Sequence, residues 1–599
     1  MDAAAADVVW ADLPVDPAST PMLARRRFLA SAGTLAVGAA LPGAAAATAL
    51  PAPLDAHRLG VGAPPDGWAR TVTLEDLAHA EAVQGVQFTP EDRALMLDDV
   101  RARLPQFEAL RAAEPPNDVP PALVLDLTLS GRDRPAPGDG PSVPLLPAVS
   151  SRPGDDRDLA FASIRELGAM LRGGAITSVE LTRLSLDRIA RLDPTLLAVV
   201  TAMESRALAE ARERDRELAR GTDRGPLHGI PYGAKDLLSA QSAPTTWGTE
   251  PYRDQVIDAD ALAVRRLHDA GAVLVAKLTL GELAWGDVWF GGMTRNPWNP
   301  DQGSSGSSAG PGSAVAAGLV PFAIGSETLG SIVSPSTRNG VTGHRPTFGR
   351  IPTDGAMALV WSMDKLGPMA RSAEDCALVF DALRGPADGS PDAAFPFALP
   401  DGRAPLAGMR VGLVAPQGNT ESADADRATQ ALIADLGAET REVSWPSDLP
   451  VGSLRMILEA EAAAAFDGLT RSRGVDAMVR QERFAWPNTF RHARHIPAVD
   501  YINANRVRTQ LMRATSALFE HVDALVTPSF DAGILITNLT GHPAVALPNA
   551  LFPVEGHPDR RSPHSVTVVG PLWGDHHALR VAAAVQGATD WHRQRPLVS

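Results

Sequence analysis

Cysteine is the residue this sequence has least of: Cys376 is the single one in 599 residues. An intramolecular disulfide and a zinc site built on cysteines are both excluded. Long apolar runs are scarce as well. The stretch 30–41 is mostly alanine and glycine, too short and too small in side chain for a stable membrane span. A cationic excess is also missing. Fifty-five Lys and Arg against seventy Asp and Glu leave a net charge of −15, which argues against nucleic acid or an anionic membrane surface as a partner. No internal repeat and no cluster of metal-ligating residues is apparent. What is present is ample apolar content, 45% of residues, in a chain long enough for several domain-sized units.

The N-terminus carries a patterned segment. Arg25-Arg26-Arg27-Phe28-Leu29 precedes the weakly apolar run, and Ala47-Thr48-Ala49 offers a small-residue cleavage site. This order resembles a twin-arginine export signal, so residues 1–49 are read as a signal peptide and a periplasmic or secreted location is expected. Residues 50–129 read as a small helical appendage. Within it Thr89-Pro90-Glu91-Asp92 has the form of a helix start, with a threonine cap, proline in the first turn and acids near the positive end. Residues 130–157 are rich in Pro, Gly and Asp without periodicity and read as a linker.

From residue 158 to 599 the texture is α/β. A helix is expected over 160–171. A second helix opens at the capping box Thr177-Ser178-Val179-Glu180 and is expected to stop at Asp193-Pro194. Short apolar runs at 272–275, 320–324, 409–414, 524–526, 544–547 and 566–569 suit buried strands. Their alternation with helical stretches implies a mixed sheet covered by helices on both faces.

Serines cluster on two glycine-rich loops, GSSGSSAG at 303–310 and SIVSPS at 331–336. The first contains a G-x-S-x-G string centred on Ser308. The nucleophile-elbow reading needs a strand before it, and Asn296-Pro297-Trp298-Asn299-Pro300 is not expected to be one. A more specific constellation adds a lysine. Lys235 lies in Gly229-Ile230-Pro231-Tyr232-Gly233-Ala234-Lys235-Asp236. The second loop reads Gly325-Ser326-Glu327-Thr328-Leu329-Gly330-Ser331-Ile332-Val333-Ser334-Pro335. With Asp364-Lys365-Leu366-Gly367-Pro368-Met369-Ala370-Arg371-Ser372 and Asn538-Leu539-Thr540-Gly541-His542-Pro543, these four ordered segments resemble the amidase signature family over roughly residues 158–599. That family's two catalytic serines lie 24 positions apart. Ser307 and Ser331 have that spacing, and Lys235 lies 72 positions before Ser307.

The resemblance implies a Ser-Ser-Lys triad that hydrolyses a small-molecule amide through an acyl-enzyme, without cofactor or metal. Ser331 would be the nucleophile, Ser307 a bridging hydroxyl that follows a cis peptide bond, and Lys235 the base. A serine hydroxyl needs a base to become a nucleophile. A lysine, with an ordinary pKa of about 10.4, serves only if burial keeps it neutral. The oxyanion hole would be the backbone of Thr328, Leu329, Gly330 and Ser331. Four positions depart from the family pattern: Glu327 for Asp, Leu329 for Gly, Val333 for Arg and Ala309 for Gly. Leu329 replaces a residue tolerant of positive φ, which implies an altered oxyanion loop, and Glu327 is expected to pair with Arg338 in place of the missing arginine.

Other residues are assigned ordinary roles. His344 and His542 are read as turn residues, Cys376 as a buried helix residue, and Trp285, Trp289 and Trp298 as core or pocket lining. Two alternative functions stay open, a non-catalytic binding or scaffold protein on the same fold and a transamidating subunit of a tRNA-charging complex. The acyl and amine parts of the substrate and the oligomeric state are not legible. Because no metal-ligand cluster is apparent in the sequence, hydrolysis by purified protein is expected to be unchanged in EDTA. Loss of activity restored by an added divalent ion would overturn that expectation.

Overall fold

The computed structural model describes residues 71–112, 116–119, 123–136, 145–390, 392–400 and 402–599. The export-signal assignment, residues 1–49, lies outside them. The central element is an 11-stranded sheet. In chain order its strands are β1 (Val199–Ala202), β2 (Pro231–Lys235), β3 (Val273–Leu278), β4 (Phe322–Glu327), β5 (Thr342–Arg345), β6 (Lys365–Ala370), β7 (Arg410–Val414), β8 (Glu439–Val443), β9 (Ala524–Pro528), β10 (Ala544–Val554) and β11 (His557–Val569). Their spatial order is β1-β3-β2-β4-β6-β5-β10-β11-β9-β7-β8. The sheet is mixed: β2 runs parallel to both β3 and β4, and β7 parallel to β8 and β9, while the other pairs are antiparallel.

Both faces of the central strands are buried, while the edge strand β8 is largely exposed, and the alternation of side chains along a central strand shows it. Leu274, Phe322 and Ile324 face one apolar cluster, with the helices Ile164–Arg172, Ala373–Leu383 and Asp575–Ala588. Their neighbours Val273, Val275 and Ala323 face the other, with Ser178–Leu196, Glu204–Ala219 and Ala309–Ala316. A strand buried on both faces reads as a continuous apolar run, which is why six of the strands were visible in the sequence. β5 and β6 were not. TGHR and KLGPMA lack apolar continuity, and they become strands because their neighbours press on them. Gly367 in β6 has a specific reason to be glycine: a Cβ there would come 2.1 Å from the His344 carbonyl oxygen.

Helix boundaries depart from expectation in two places. The helix expected over 160–171 is divided into Asp156–Ala160 and Ile164–Arg172, because Ser163 and Glu166 form a capping box that starts a new helix. The helix from Ser178 runs through Pro194 to Leu196 instead of stopping at Asp193. Pro194 falls in the last turn, so its missing N–H interrupts the helix only two residues before its end. Leu197 closes the end at φ 51°, and Asp193 accepts hydrogen bonds from the N–H groups of Ala198 and Val199 at 2.7 and 3.1 Å. His344, read as a turn residue, lies on β5, buried 3.3 Å from Asp575. Cys376 is fully buried in the helix Ala373–Leu383, and burial pushes its thiol pKa up. Among the described residues no helix is long and apolar enough to cross a membrane.

In the N-terminal region, helices Leu74–Gln84 and Pro90–Ala112 are joined by an Arg93–Glu81 ion pair of 2.8 Å, and Thr89 accepts a hydrogen bond from the Asp92 N–H. Further along, the chain touches the body directly. Asn117 bonds Ala358, Leu127 packs with Met512 and Trp573, Arg134 pairs with Asp392, and Val149 N–H donates to the Ala169 carbonyl.

One buried carboxyl makes a stability prediction. Asp375 accepts a hydrogen bond from the Ile164 N–H at 3.0 Å; burial raises its pKa to about 7, with Arg371 opposing. A folded-state pKa above the unfolded value of about 3.9 means that the group's stabilising contribution is complete below pH ~4 and lost as pH rises through 7. Asp375→Asn keeps an oxygen for Ile164 and removes the ionisation. Urea unfolding is expected to show the variant gaining about 2.5 kcal/mol of stability relative to wild type between pH 5 and pH 8. A pH-independent difference would contradict the assignment.

Candidate active site

Lys235 ends β2, between β3 and β4, with no exposed surface. Four oxygens surround its Nζ: Ser307 Oγ at 2.8 Å, Ser326 Oγ at 2.9 Å, Ser308 Oγ at 3.1 Å and the Ser326 carbonyl at 3.4 Å. None belongs to a carboxylate. Burial therefore holds the amine well below the ordinary lysine range, and the more distant charges of Asp364 and Glu327 oppose it only in part. A second buried lysine makes the contrast. Lys277, one strand away, pairs with the Asp236 carboxylate at 2.6 Å.

A neutral amine has two N–H donors and one lone pair. Ser308 Oγ donates to the Ser326 carbonyl at 3.0 Å and accepts from the Ser326 N–H at 3.1 Å, so towards Lys235 it can only accept. Ser326 Oγ is available for the second amine hydrogen. The lone pair then falls to the Ser307 hydroxyl, the nearest of the four oxygens. The Gly306–Ser307 peptide is cis. Next to it the Ser308 N–H donates to the Ser331 carbonyl at 3.1 Å, which draws the two serine loops together. Residues 296–300, expected not to be a strand, fall partly in one: Asn299–Gly303 forms a short two-stranded pairing with Arg295–Asn296 before this loop.

Ser331 opens onto a cavity of about 1310 Å³, lined also by Gly306, Thr328, Leu329, Trp285 and Arg338. Gly330 takes φ 82°, whereas Leu329 is not among the residues of positive φ. The residue expected to disturb the loop stands where no glycine is required, and the glycine remains where one is. Of the tryptophans, Trp285 lines the cavity beneath the Arg480 guanidinium, 5.0 Å from its ring centre. Trp289 and Trp298 are buried, and Trp298 Nε1 donates to the Asn339 carbonyl at 2.8 Å. His542 is buried behind the helix Ala532–Thr540, its ring 2.8 Å from Thr540 Oγ1.

The pairing of Glu327 with Arg338 is corrected by the structure. The guanidinium at Glu327 is that of Arg345, on β5, at 2.6 Å, with both side chains fully buried. Arg338 lies on the helix Val333–Asn339 and faces the cavity. Asn538 adds a hydrogen bond of 2.7 Å to the same carboxylate. Burial alone would raise the Glu327 pKa, but Arg345, Val333 N–H and Asn538 bring it down to about 2. The carboxylate accepts from the N–H groups of Ile332 and Val333 at 2.7 and 3.0 Å, so it fixes the turn just after Ser331. Before Ser331, Thr328 Oγ1 donates to Asp364 at 2.6 Å, and Asp364 also accepts from the N–H groups of Leu359 and Val360 at 2.7 and 2.9 Å.

Sequence reasoning assigned no role to Ser308, Ser326, Arg345, Asp364 or Asn538. Asp364 and Asn538 head the two downstream motifs, and that position was the available signal. Arg345 carried none, because its partner lies two strands away. Among the described residues no group of three or more His, Cys, Asp or Glu is arranged to hold a metal ion.

Comparison with known proteins agrees with this geometry. The Amidase family matches residues 180–579. The chain is 34% identical over 492 residues to a glutamyl-tRNA(Gln) amidotransferase subunit of Azoarcus sp. (strain BH72), covering 73% of this chain and 99% of that one. It is 34% identical over 475 residues to the putative amidase AmiD of Mycobacterium bovis, covering 74% and 98%. The native peptide amidase from Stenotrophomonas maltophilia superposes with a TM-score of 0.62 at 28% identity, covering 73% of this chain and 98% of its own. In sequence, in fold and in the motifs around Lys235, Ser307 and Ser331, the chain belongs to the amidase signature family.

Proposed function

We propose that this chain hydrolyses a carboxylic amide through Ser331, Ser307 and Lys235. The observation that carries the reading is a fully buried lysine, free of any contacting carboxylate, 2.8 Å from Ser307 Oγ. In the proposed sequence the Lys235 lone pair takes the Ser307 proton while Ser307 takes that of Ser331. Ser331 Oγ attacks the amide carbon, and the oxyanion lies against backbone N–H groups of residues 328–331. Collapse of the intermediate returns the proton through Ser307 to the leaving nitrogen. An amine or ammonia departs and an ester to Ser331 remains. Water, deprotonated by the same relay, then releases the acid.

A second reading, transamidation within a tRNA-charging complex, is favoured by the name of the Azoarcus relative. The net charge of −15 weighs against a nucleic-acid partner. Release of ammonia or amine from a simple amide by the isolated chain distinguishes hydrolysis. Modification of Ser331 by a fluorophosphonate separates either enzyme from a non-catalytic scaffold.

We also propose twin-arginine export, supported by the order Arg25-Arg26-Arg27-Phe28-Leu29 before a weakly apolar run. Replacing Arg25 and Arg26 by lysine is expected to leave the protein in the cytoplasmic fraction. Unchanged fractionation would remove the assignment.

For the triad, Ser331→Ala is expected to abolish turnover and fluorophosphonate labelling. Ser307→Ala and Lys235→Ala should leave small residual rates, because they remove the relay and the base but not the nucleophile. In wild type the rate should rise with pH through the depressed lysine pKa and level off above it, since the amine acts only when unprotonated. Full turnover by the Ser331 variant, or a rate that falls as the lysine deprotonates, would contradict the mechanism.

A further inference from the structure

The turn at residues 116–119 precedes the family-matched stretch, which begins at residue 180. It is closed by a hydrogen bond of 3.0 Å from the Val119 N–H to the Pro116 carbonyl. Asn117 points its side-chain amide at the backbone of Ala358. Nδ2 donates to the Ala358 carbonyl at 2.9 Å, and the Ala358 N–H donates to Oδ1 at 2.6 Å. An amide side chain is suited to this because it presents a donor and an acceptor together in one plane. Trp361 Nε1 donates to the Asn117 carbonyl at 3.2 Å, so the turn grips both sides of residues 358–361.

What is gripped is the platform of the candidate site. Leu359 lines the cavity, and the N–H groups of Leu359 and Val360 fix Asp364. Asp364 accepts from Thr328, three residues before Ser331. On its other side the same loop is joined to the segment just after Lys235: the Met357 N–H donates to the Leu237 carbonyl at 3.0 Å, and Ala356 bridges Leu238. One loop thus touches the surroundings of both the base and the nucleophile, and Asn117 holds it from outside.

We propose that Asn117 is a positioning residue of this active site, and that the turn at 116–119 completes the platform that carries Thr328 and Leu359. The proposal rests on the amide-hydrolase reading for its catalytic consequence and on hydrogen bonds alone for its structural one. The test uses the full-length chain. Asn117→Asp has the same shape, still accepts from the Ala358 N–H, and cannot donate to its carbonyl when ionised. It is expected to lower kcat roughly tenfold, the equivalent of one effective hydrogen bond, with KM changed less than about twofold. Fluorophosphonate modification of Ser331 should slow in parallel, and amide hydrogen exchange over residues 357–364 should quicken. Trp361→Phe removes only the indole donor and should shift the same readouts in the same direction by less. It serves as well if the first variant folds poorly. Wild-type rates and wild-type exchange in both variants would overturn the proposal. If Ser331 of the wild-type chain resists the probe, the hydrolase reading fails instead, and exchange over residues 357–364 decides the positioning role alone.

Discussion

An amine buried with no negative charge in contact is the constraint on which the site depends. Ionised, Lys235 would be a cation in a dry interior with only hydroxyl and carbonyl dipoles around it, so burial drives it towards the neutral form. Every group around it fits that state. The hydroxyl oxygens of Ser307, Ser308 and Ser326 all lie within hydrogen-bond reach of its nitrogen, and none carries a charge. Lys277, equally buried one strand away, has the Asp236 carboxylate at 2.6 Å. One contacting carboxylate is the difference between the surroundings of the two lysines.

Charge is confined to the turn instead. Glu327 stands just before the Thr328–Ser331 stretch of backbone and is matched by Arg345 and Asn538, so its oxygens are free to hold Ile332 and Val333. Breaking such a buried pair leaves an uncompensated charge and is far more costly than exchanging both partners together. The departures from the family pattern look different in this light. The arginine missing at Val333 is compensated by one from β5, and Leu329 occupies a position whose backbone does not require glycine.

The legible part of the sequence was the part whose signal is local. Strands buried on both faces announce themselves as apolar runs, capping boxes mark helix starts, and a 24-residue interval singled out Ser307 and Ser331 from a serine-rich background. The illegible part was pairwise and distant. β5 and β6 become strands through their neighbours, and Arg345 meets Glu327 across the sheet rather than along the chain. Arg338 was the nearest arginine in sequence, and proximity in sequence says little about a side chain on a short helix that turns towards a cavity. The capping box at Ser163 was readable in principle. It was overridden by the apolar pattern around it, although Ser163 and Glu166 stand at the required spacing.

The parallel pairing of β2 with β4 has a consequence for how such a site changes. Tyr232, Gly233 and Ala234 lie opposite Phe322, Ala323 and Ile324, and that register brings Lys235 beside Ser326. A slip of one residue would turn the lysine to the opposite face, and the stacked rings of Tyr232 and Phe322, 5.3 Å apart, hold the strands against it. The part of the cavity wall that faces the serine loops is built elsewhere, from Trp285, Leu458, Arg480 and Trp486 on loops and helices outside these strands. The buried lysine and most of the cavity wall therefore belong to different mechanical parts of the molecule. The wall is free to be recut while the buried lysine and the serines around it keep their spacing, as a lathe takes a new tool without moving its spindle.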